Sequence, residues 1–234
     1  MKVALLGYGK MGKIIEQVAL SRGHEIVIKA TKDTKYNLTD ADVAIDFSVP
    51  SAAVNNISNG LKNNVPVVSG TTGWLDNYEA MVKLCNEHQG AFLYASNFSL
   101  GVNIFFELNS YLAKIMSSFE QYKVTIEEIH HTQKLDKPSG TAITLAQGII
   151  KEHTRYTDWE LDKNQTNHSV PVFAKRLPEV PGTHTISYSS AVDTIAISHE
   201  AHNREGFALG AVLAAEWILG KKGVFSMKDV LNIG

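Results

Sequence analysis

A glycine turn, Gly7-Tyr8-Gly9-Lys10-Met11-Gly12, lies between the apolar run Val3-Ala4-Leu5-Leu6 and a segment from Lys13 to Arg22 in which Ile14, Ile15, Val18 and Ala19 recur at helical spacing. The run shows no polar alternation, as expected of a parallel strand covered on both faces. Gly23 ends the helix, and His24 to Ala30 resumes an extended pattern. In a strand, turn, helix, strand frame, GxGxxG has a mechanical meaning. Gly7 makes the turn, Gly9 lets a pyrophosphate approach the backbone, and Gly12 lets the helix pack closely. The motif by itself would equally describe a tight turn; its place in this frame points to a dinucleotide.

The same grammar continues. Ala41 to Ser48 reads as a third strand that Pro50 cannot prolong, Asn55 to Asn63 as a helix, and Pro66 to Ser69 as a fourth strand. That strand runs into Gly70-Thr71-Thr72-Gly73, where small residues leave space for a nicotinamide ribose or simply form a glycine loop. Leu75 to His88 is a further helix and Ala91 to Ala95 a further strand, so the expected fold is α/β, a Rossmann-like doubly wound parallel sheet. About twenty positions past the glycines, where a ribose is met, stand Thr31-Lys32-Asp33. Lys32 could accept a 2′-phosphate, which favours NADPH, while Asp33 keeps NADH open.

After a helix from Val102 to Ser117 the pattern turns toward strands at Lys123 to Ile129, Val170 to Ala174, Gly182 to Ser189 and Asp193 to His199, the last two close enough for a hairpin. These imply an α+β substrate domain over 102–204, set behind a dinucleotide-binding domain over 1–101. An apolar helix and tail over 205–234 return to the first domain. The polar stretch His153 to Ser169 reads as a long mobile loop.

Composition excludes several classes. Twenty-two basic against 24 acidic residues give a net charge of −2, with no basic run longer than a pair, so no nucleic-acid surface is expected. No apolar stretch reaches the roughly 20 residues a membrane helix needs, and without a signal-like start the cytoplasm is expected. The single Cys85 rules out an internal disulfide and reads as a buried helix residue rather than a reactive thiol.

The densest chemistry lies in Glu127 to Ala142. If Val124 to His131 is extended, Glu128 and His130 share one face and His131 takes the other, so the two histidines do different jobs and make a poor metal pair. No metal is expected. Pro138 stops any preceding helix, Ser139 can cap the next, and Ala142, Leu145, Ala146, Ile149 and Ile150 form its apolar stripe. Backbone amides from Ser139 to Ala142 at the helix start, with Lys134 nearby, suit a carboxylate. A capped helix beside solvated side chains is the plainer alternative.

His130-His131-x-x-Lys134-x-Asp136-x-Pro138-Ser139-Gly140-Thr141-Ala142, with the glycine turn, Gly70 to Gly73 and Asn97-Phe98-Ser99-Leu100-Gly101-Val102-Asn103, resembles the dihydrodipicolinate (4-hydroxy-tetrahydrodipicolinate) reductases of lysine and diaminopimelate biosynthesis. The resemblance runs the length of the chain. It implies an oxidoreductase using NADPH or NADH on a small dicarboxylate. It implies that Gly7, Tyr8, Gly9, Lys10, Met11 and Gly12 hold the pyrophosphate, and that Gly70, Thr71 and Thr72 with Ala95, Ser96, Asn97 and Phe98 surround the nicotinamide. His130 then corresponds to the proton donor or acceptor, Lys134 to a second proton donor, and His131, Gly140 and Thr141 to substrate binders. The family's acidic residue after the second strand is missing, with Thr31 and Lys32 in its place. A homotetramer built through the second domain's sheet is also implied.

Overall fold

The computed structural model describes residues 1–32, 34–163 and 168–233. The chain forms two compact units: Met1–Asn103 together with Arg204–Gly234, and Ile104–Asn203.

The first unit is built on six parallel strands, β1 (Lys2–Leu6), β2 (Glu25–Ala30), β3 (Val43–Asp46), β4 (Val67–Ser69), β5 (Ala91–Tyr94) and β11 (Gly223–Phe225), in the order β11-β5-β4-β3-β1-β2. Successive side chains of β1 and β3 enter different cores, which explains their unbroken apolar runs. Val3, Leu5, Val43 and Ile45 pack with Ile15 and Ala19 of α1 (Lys10–Ser21) and with Ala208, Val212 and Ile218 of α6 (Glu205–Ile218). Ala4, Leu6 and Ala44 pack with Ile57 and Leu61 of α2 (Pro50–Lys62) and with Met81 and Cys85 of α3 (Tyr78–Glu87). Cys85 is fully buried, and burial pushes its thiol pKa up.

Two boundaries differ from expectation. α2 starts at Pro50 rather than Asn55, because proline's missing amide is no loss at a first helical position. A single 3-10 turn, Leu75–Asn77, precedes α3, so the expected helix from Leu75 is two pieces.

The second unit carries a mixed sheet of β6 (Lys123–His130), β7 (Asp158–Leu161), β8 (Ser169–Arg176), β9 (Gly182–Ser189) and β10 (Thr194–Ala201), in the order β10-β9-β6-β8-β7. β6 pairs parallel with β8 and antiparallel with β9. Val124, Ile126, Val172 and Ile186 face α5 (Gly140–Glu152) through Ala142, Leu145 and Ile149, and Phe105 and Met116 of α4 (Leu100–Met116) join that core. The expected mobile loop over 153–169 is corrected: it contains β7, paired parallel to β8, and Tyr156 buried in the core. Its stretch 164–167 lies outside the described residues, as does Asp33.

Candidate active site

β1 and β3 are adjacent, and the connections leave them in opposite directions across the sheet, so a crevice opens beyond their carboxyl ends. A cavity of about 350 Å³ lies there, lined by Gly7, Tyr8 and Gly9 after β1, Phe47 to Val49 after β3, and Thr31, Lys32, Thr34 and Tyr36 after β2. Gly7 has φ +103°, and a Cβ there would stand 2.2 Å from the Phe47 carbonyl oxygen. At Gly12 a Cβ would meet the Gly7 carbonyl at 2.4 Å, whereas at Gly9 it would meet nothing within 4 Å. So Gly12 permits close packing and Gly9 leaves open room. The amides of Lys10, Met11 and Gly12 at the start of α1 have no partner among the described residues, and no side chain caps this helix. Such a helix start suits a phosphate. The Tyr8 amide is committed to the Ala30 carbonyl at 2.9 Å.

The remaining expected cofactor residues are not among those that line this cavity. Thr71 is buried, and its Oγ1 accepts from the Ser48 amide at 2.8 Å. Phe98 is a core residue, its ring 5.5 Å from Phe47. Asn97 folds onto its own loop, accepting from the Ser99 amide at 2.9 Å, while Thr72 and Ser96 are exposed. Gly70 backs onto the Phe47 ring, and the Ala95 amide donates to Ser69. Tyr36 and Asn56 were not anticipated. The Tyr36 hydroxyl donates to Asn56 Oδ1 at 2.6 Å, and Asn56 Nδ2 donates to Asp46 Oδ1 at 2.8 Å. Asp46 has no cationic partner among the described residues, and burial raises its pKa against hydrogen bonds from Ser48, Asn56 and Ser69.

In the second unit the pleat of β6 places Glu128 and His130 on the buried face, 0% and 7% exposed, while His131 leaves the strand half-buried. Register then adds two residues that sequence reasoning missed. Glu128 lies opposite His184 on β9, and His130 beside Arg176 on β8. Glu128 Oε2 is 3.4 Å from His130 Nδ1 and 3.6 Å from His184 Nε2, ion-pair distances rather than aligned hydrogen bonds. Its Oε1 accepts from Arg176 at 3.1 Å, and both oxygens accept from the Ser139 amide at 3.0 and 3.1 Å.

Ser139 caps α5 as expected, its Oγ accepting from the Ala142 amide at 3.2 Å. The expected anion site from Ser139 to Ala142 is therefore narrower. The Ser139 amide is committed to Glu128 and that of Ala142 to Ser139, which leaves Gly140 and Thr141 with amides unpartnered among the described residues. Lys134 Nζ pairs with Asp136 Oδ2 at 2.8 Å on the surface.

Burial lowers the His130 pKa, and the charges of His184, Lys134 and Arg176 add to that while Glu128 opposes it; the result is about 4, so the imidazole is neutral near pH 7. Burial alone would raise Glu128, but the close His184 imidazole, hydrogen bonding from Ser139 and the charge on His130 hold it at about 2. Ligand atoms of Glu128, His130 and His184 lie within 4.8 Å of one another, spacing that a metal could span. The Arg176 guanidinium on the same carboxylate already compensates its charge, so the cluster reads as an ion-pair and hydrogen-bond network. Glu128 carried one legible signal: it shares His130's face, and a buried carboxylate needs partners.

A family model described as "Dihydrodipicolinate reductase, C-terminus" matches residues 101–231, and one described as "Dihydrodipicolinate reductase, N-terminus" matches 21–98, which leaves the glycine turn ahead of it. The chain is 55% identical over 99% of its length to a 4-hydroxy-tetrahydrodipicolinate reductase of Christiangramia forsetii, covering 98% of that protein. It is 35% identical, with the same coverages, to one of Thermosipho africanus. Among solved structures, a dipicolinate-bound dihydrodipicolinate reductase from Paenisporosarcina sp. TG-14 matches with TM-score 0.78 and 24% identity over 97% of each chain, a likeness of fold.

Proposed function

The chain belongs to the dihydrodipicolinate reductase family, and from that premise we propose that it reduces 4-hydroxy-tetrahydrodipicolinate to tetrahydrodipicolinate, with loss of water, in lysine and diaminopimelate biosynthesis. NADPH or NADH supplies the hydride when bound. The observation that carries this reading is the segment His130 to Thr141, which holds a buried imidazole, an ammonium and two unpartnered helix-start amides.

Lys10, Met11 and Gly12 would hold the pyrophosphate at the start of α1, with Gly9 clearing its approach. Lys32, exposed at the cavity's edge, is suited to a 2′-phosphate and favours NADPH. The amides of Gly140 and Thr141 bind one ring carboxylate of the substrate, and the Lys134 ammonium adds positive charge. Loss of water from the hydroxy substrate leaves a conjugated cyclic imine. Conjugate addition of hydride at C4 of this unsaturated imine places the negative charge on an enamine, and a proton from Lys134 or from His130 in its protonated form completes the reduction to tetrahydrodipicolinate. His131 is a further substrate contact. The active assembly is a homotetramer in the cytoplasm, with β10, largely exposed along an outer edge, covered by another copy.

The test is a paired assay with NADH and NADPH, the substrate generated in place by a separate aldolase-type synthase that condenses pyruvate with aspartate semialdehyde. Loss of reduced-nicotinamide absorbance is expected only when both precursors are present. No oxidation of either cofactor would sink the assignment. Sedimentation at the mass of four chains checks the assembly; a monomer would overturn it.

A further inference from the structure

Glu128 is a fully buried carboxylate that touches both parts of the proposed substrate site. On one side it takes the Ser139 amide, the residue directly before the two anion-binding amides. On the other it stands 3.4 Å from His130 Nδ1. Arg176 extends the same pair into the intervening loop. Its guanidinium holds Glu128 at 3.1 Å, the Lys134 carbonyl at 3.3 Å and the Asp136 carbonyl at 2.6 Å. The loop residue between those carbonyls, Leu135, is 95% exposed, so side-chain packing does not fix this stretch. Its backbone is held through Arg176.

Resting on the functional reading above, we propose that Glu128 and Arg176 are positioning residues, a buried ion pair that fixes Lys134, the Gly140 and Thr141 amides and the His130 imidazole in one arrangement. Anion grip and proton transfer are thereby set together. Neither residue contacts substrate in this scheme; each acts through groups that do.

A role confined to stabilising the fold predicts no particular electrostatic signature, whereas this one does. The charged and titratable groups that face His130 are Glu128 on its own strand, His184 on β9, Arg176 on β8 and Lys134 in the following loop. Glu128 favours the protonated imidazole and Arg176 opposes it. Glu128→Gln should therefore lower the pH at which His130 titrates, and Arg176→Gln should raise it.

The experiment follows the His130 imidazole by NMR across pH and measures steady-state kinetics on the full-length protein and both variants. Opposite midpoint shifts are expected. In both variants the substrate KM should rise on the order of 10- to 100-fold, as misplacement of binding groups by about 1 Å does, while the NADPH KM stays within about twofold. Midpoints moving in the same direction, or an unchanged substrate KM in both, would overturn the proposal. If Glu128→Gln does not fold, Arg176→Gln must alone show the upward midpoint and the raised KM. Absence of wild-type turnover would defeat the functional reading; the NMR midpoints are read independently of it.

Discussion

Among the described residues, Asp46 in the first unit and Glu128 in the second are carboxylates buried completely beneath a candidate site, and their pKa values are displaced in opposite directions. Asp46, at the end of β3, is surrounded by neutral donors from Ser48, Asn56 and Ser69, and its pKa is raised. Glu128, on β6, meets a guanidinium, an amide and two imidazoles, and its pKa falls to about 2. Equal exclusion from water thus leaves charge to be decided by partners. The cofactor crevice surrounds its carboxylate with neutral donors, while the histidine site sets its carboxylate against a guanidinium.

The harshest way to break this contrast is to remove each carboxylate. Glu128→Ala leaves Arg176 without its partner and the Ser139 amide without an acceptor, so a loss of about 3–5 kcal/mol is expected in urea unfolding. A loss below about 1 kcal/mol would mean that the ion pair is not coupled to stability.

Acidification sharpens the same contrast by sign. His130 has its folded pKa lowered from 6.5 to about 4, so its contribution is complete above 6.5 and is lost as pH falls toward 4. Glu128, lowered from 4.5 to about 2, contributes fully above 4.5 and loses that contribution further down. Asp46 is raised above 3.8, so its contribution is present below 3.8 and is lost as pH rises through the raised folded value. From about pH 7 to about pH 4, wild type should therefore lose stability relative to His130→Gln by about 1–3 kcal/mol, and gain relative to Asp46→Asn. Urea melts of the three proteins across that range check both signs, and parallel curves would refute the assigned states.

Asp46→Asn at neutral pH should cost only about 1–2 kcal/mol, since the hydroxyls of Ser48 and Ser69 can rotate to accept from the new amide. A loss as large as that at Glu128 would show that the network depends on the carboxylate and that the two hydroxyls do not rotate to accept.

What could be read in the sequence follows from how far each signal reaches along the chain. The parallel sheet was legible because strands covered on both faces leave continuous apolar runs, and the Ser139 cap because its partner is three residues away. β7 was missed since four residues, Asp158 to Leu161, are too short for alternation to separate from a loop. The start of α2 was missed because Pro50 serves equally as a strand stop and a first helical residue. At the site, His130 and its face came from β6's alternation. Arg176 and His184 did not, because strand register alone brings them beside His130 and Glu128, far away in the sequence. Pairing across a mixed sheet leaves no local mark in either strand.

The smallest expected effect tests whether burial without partners is tolerated where no charge is involved. Tyr188 on β9 is fully buried in the second unit's core, its hydroxyl unpartnered among the described residues, and burial pushes its pKa up. Tyr188→Phe removes the unsatisfied hydroxyl and keeps the ring, so stability should rise or stay within about 1 kcal/mol of wild type. Glu128 and Tyr188 lie in the same unit under the same exclusion from water, and only one of them has a network to lose. A clear destabilisation by Tyr188→Phe in urea unfolding would show that its hydroxyl is held by a partner, and that burial in this unit is selective for satisfied groups throughout.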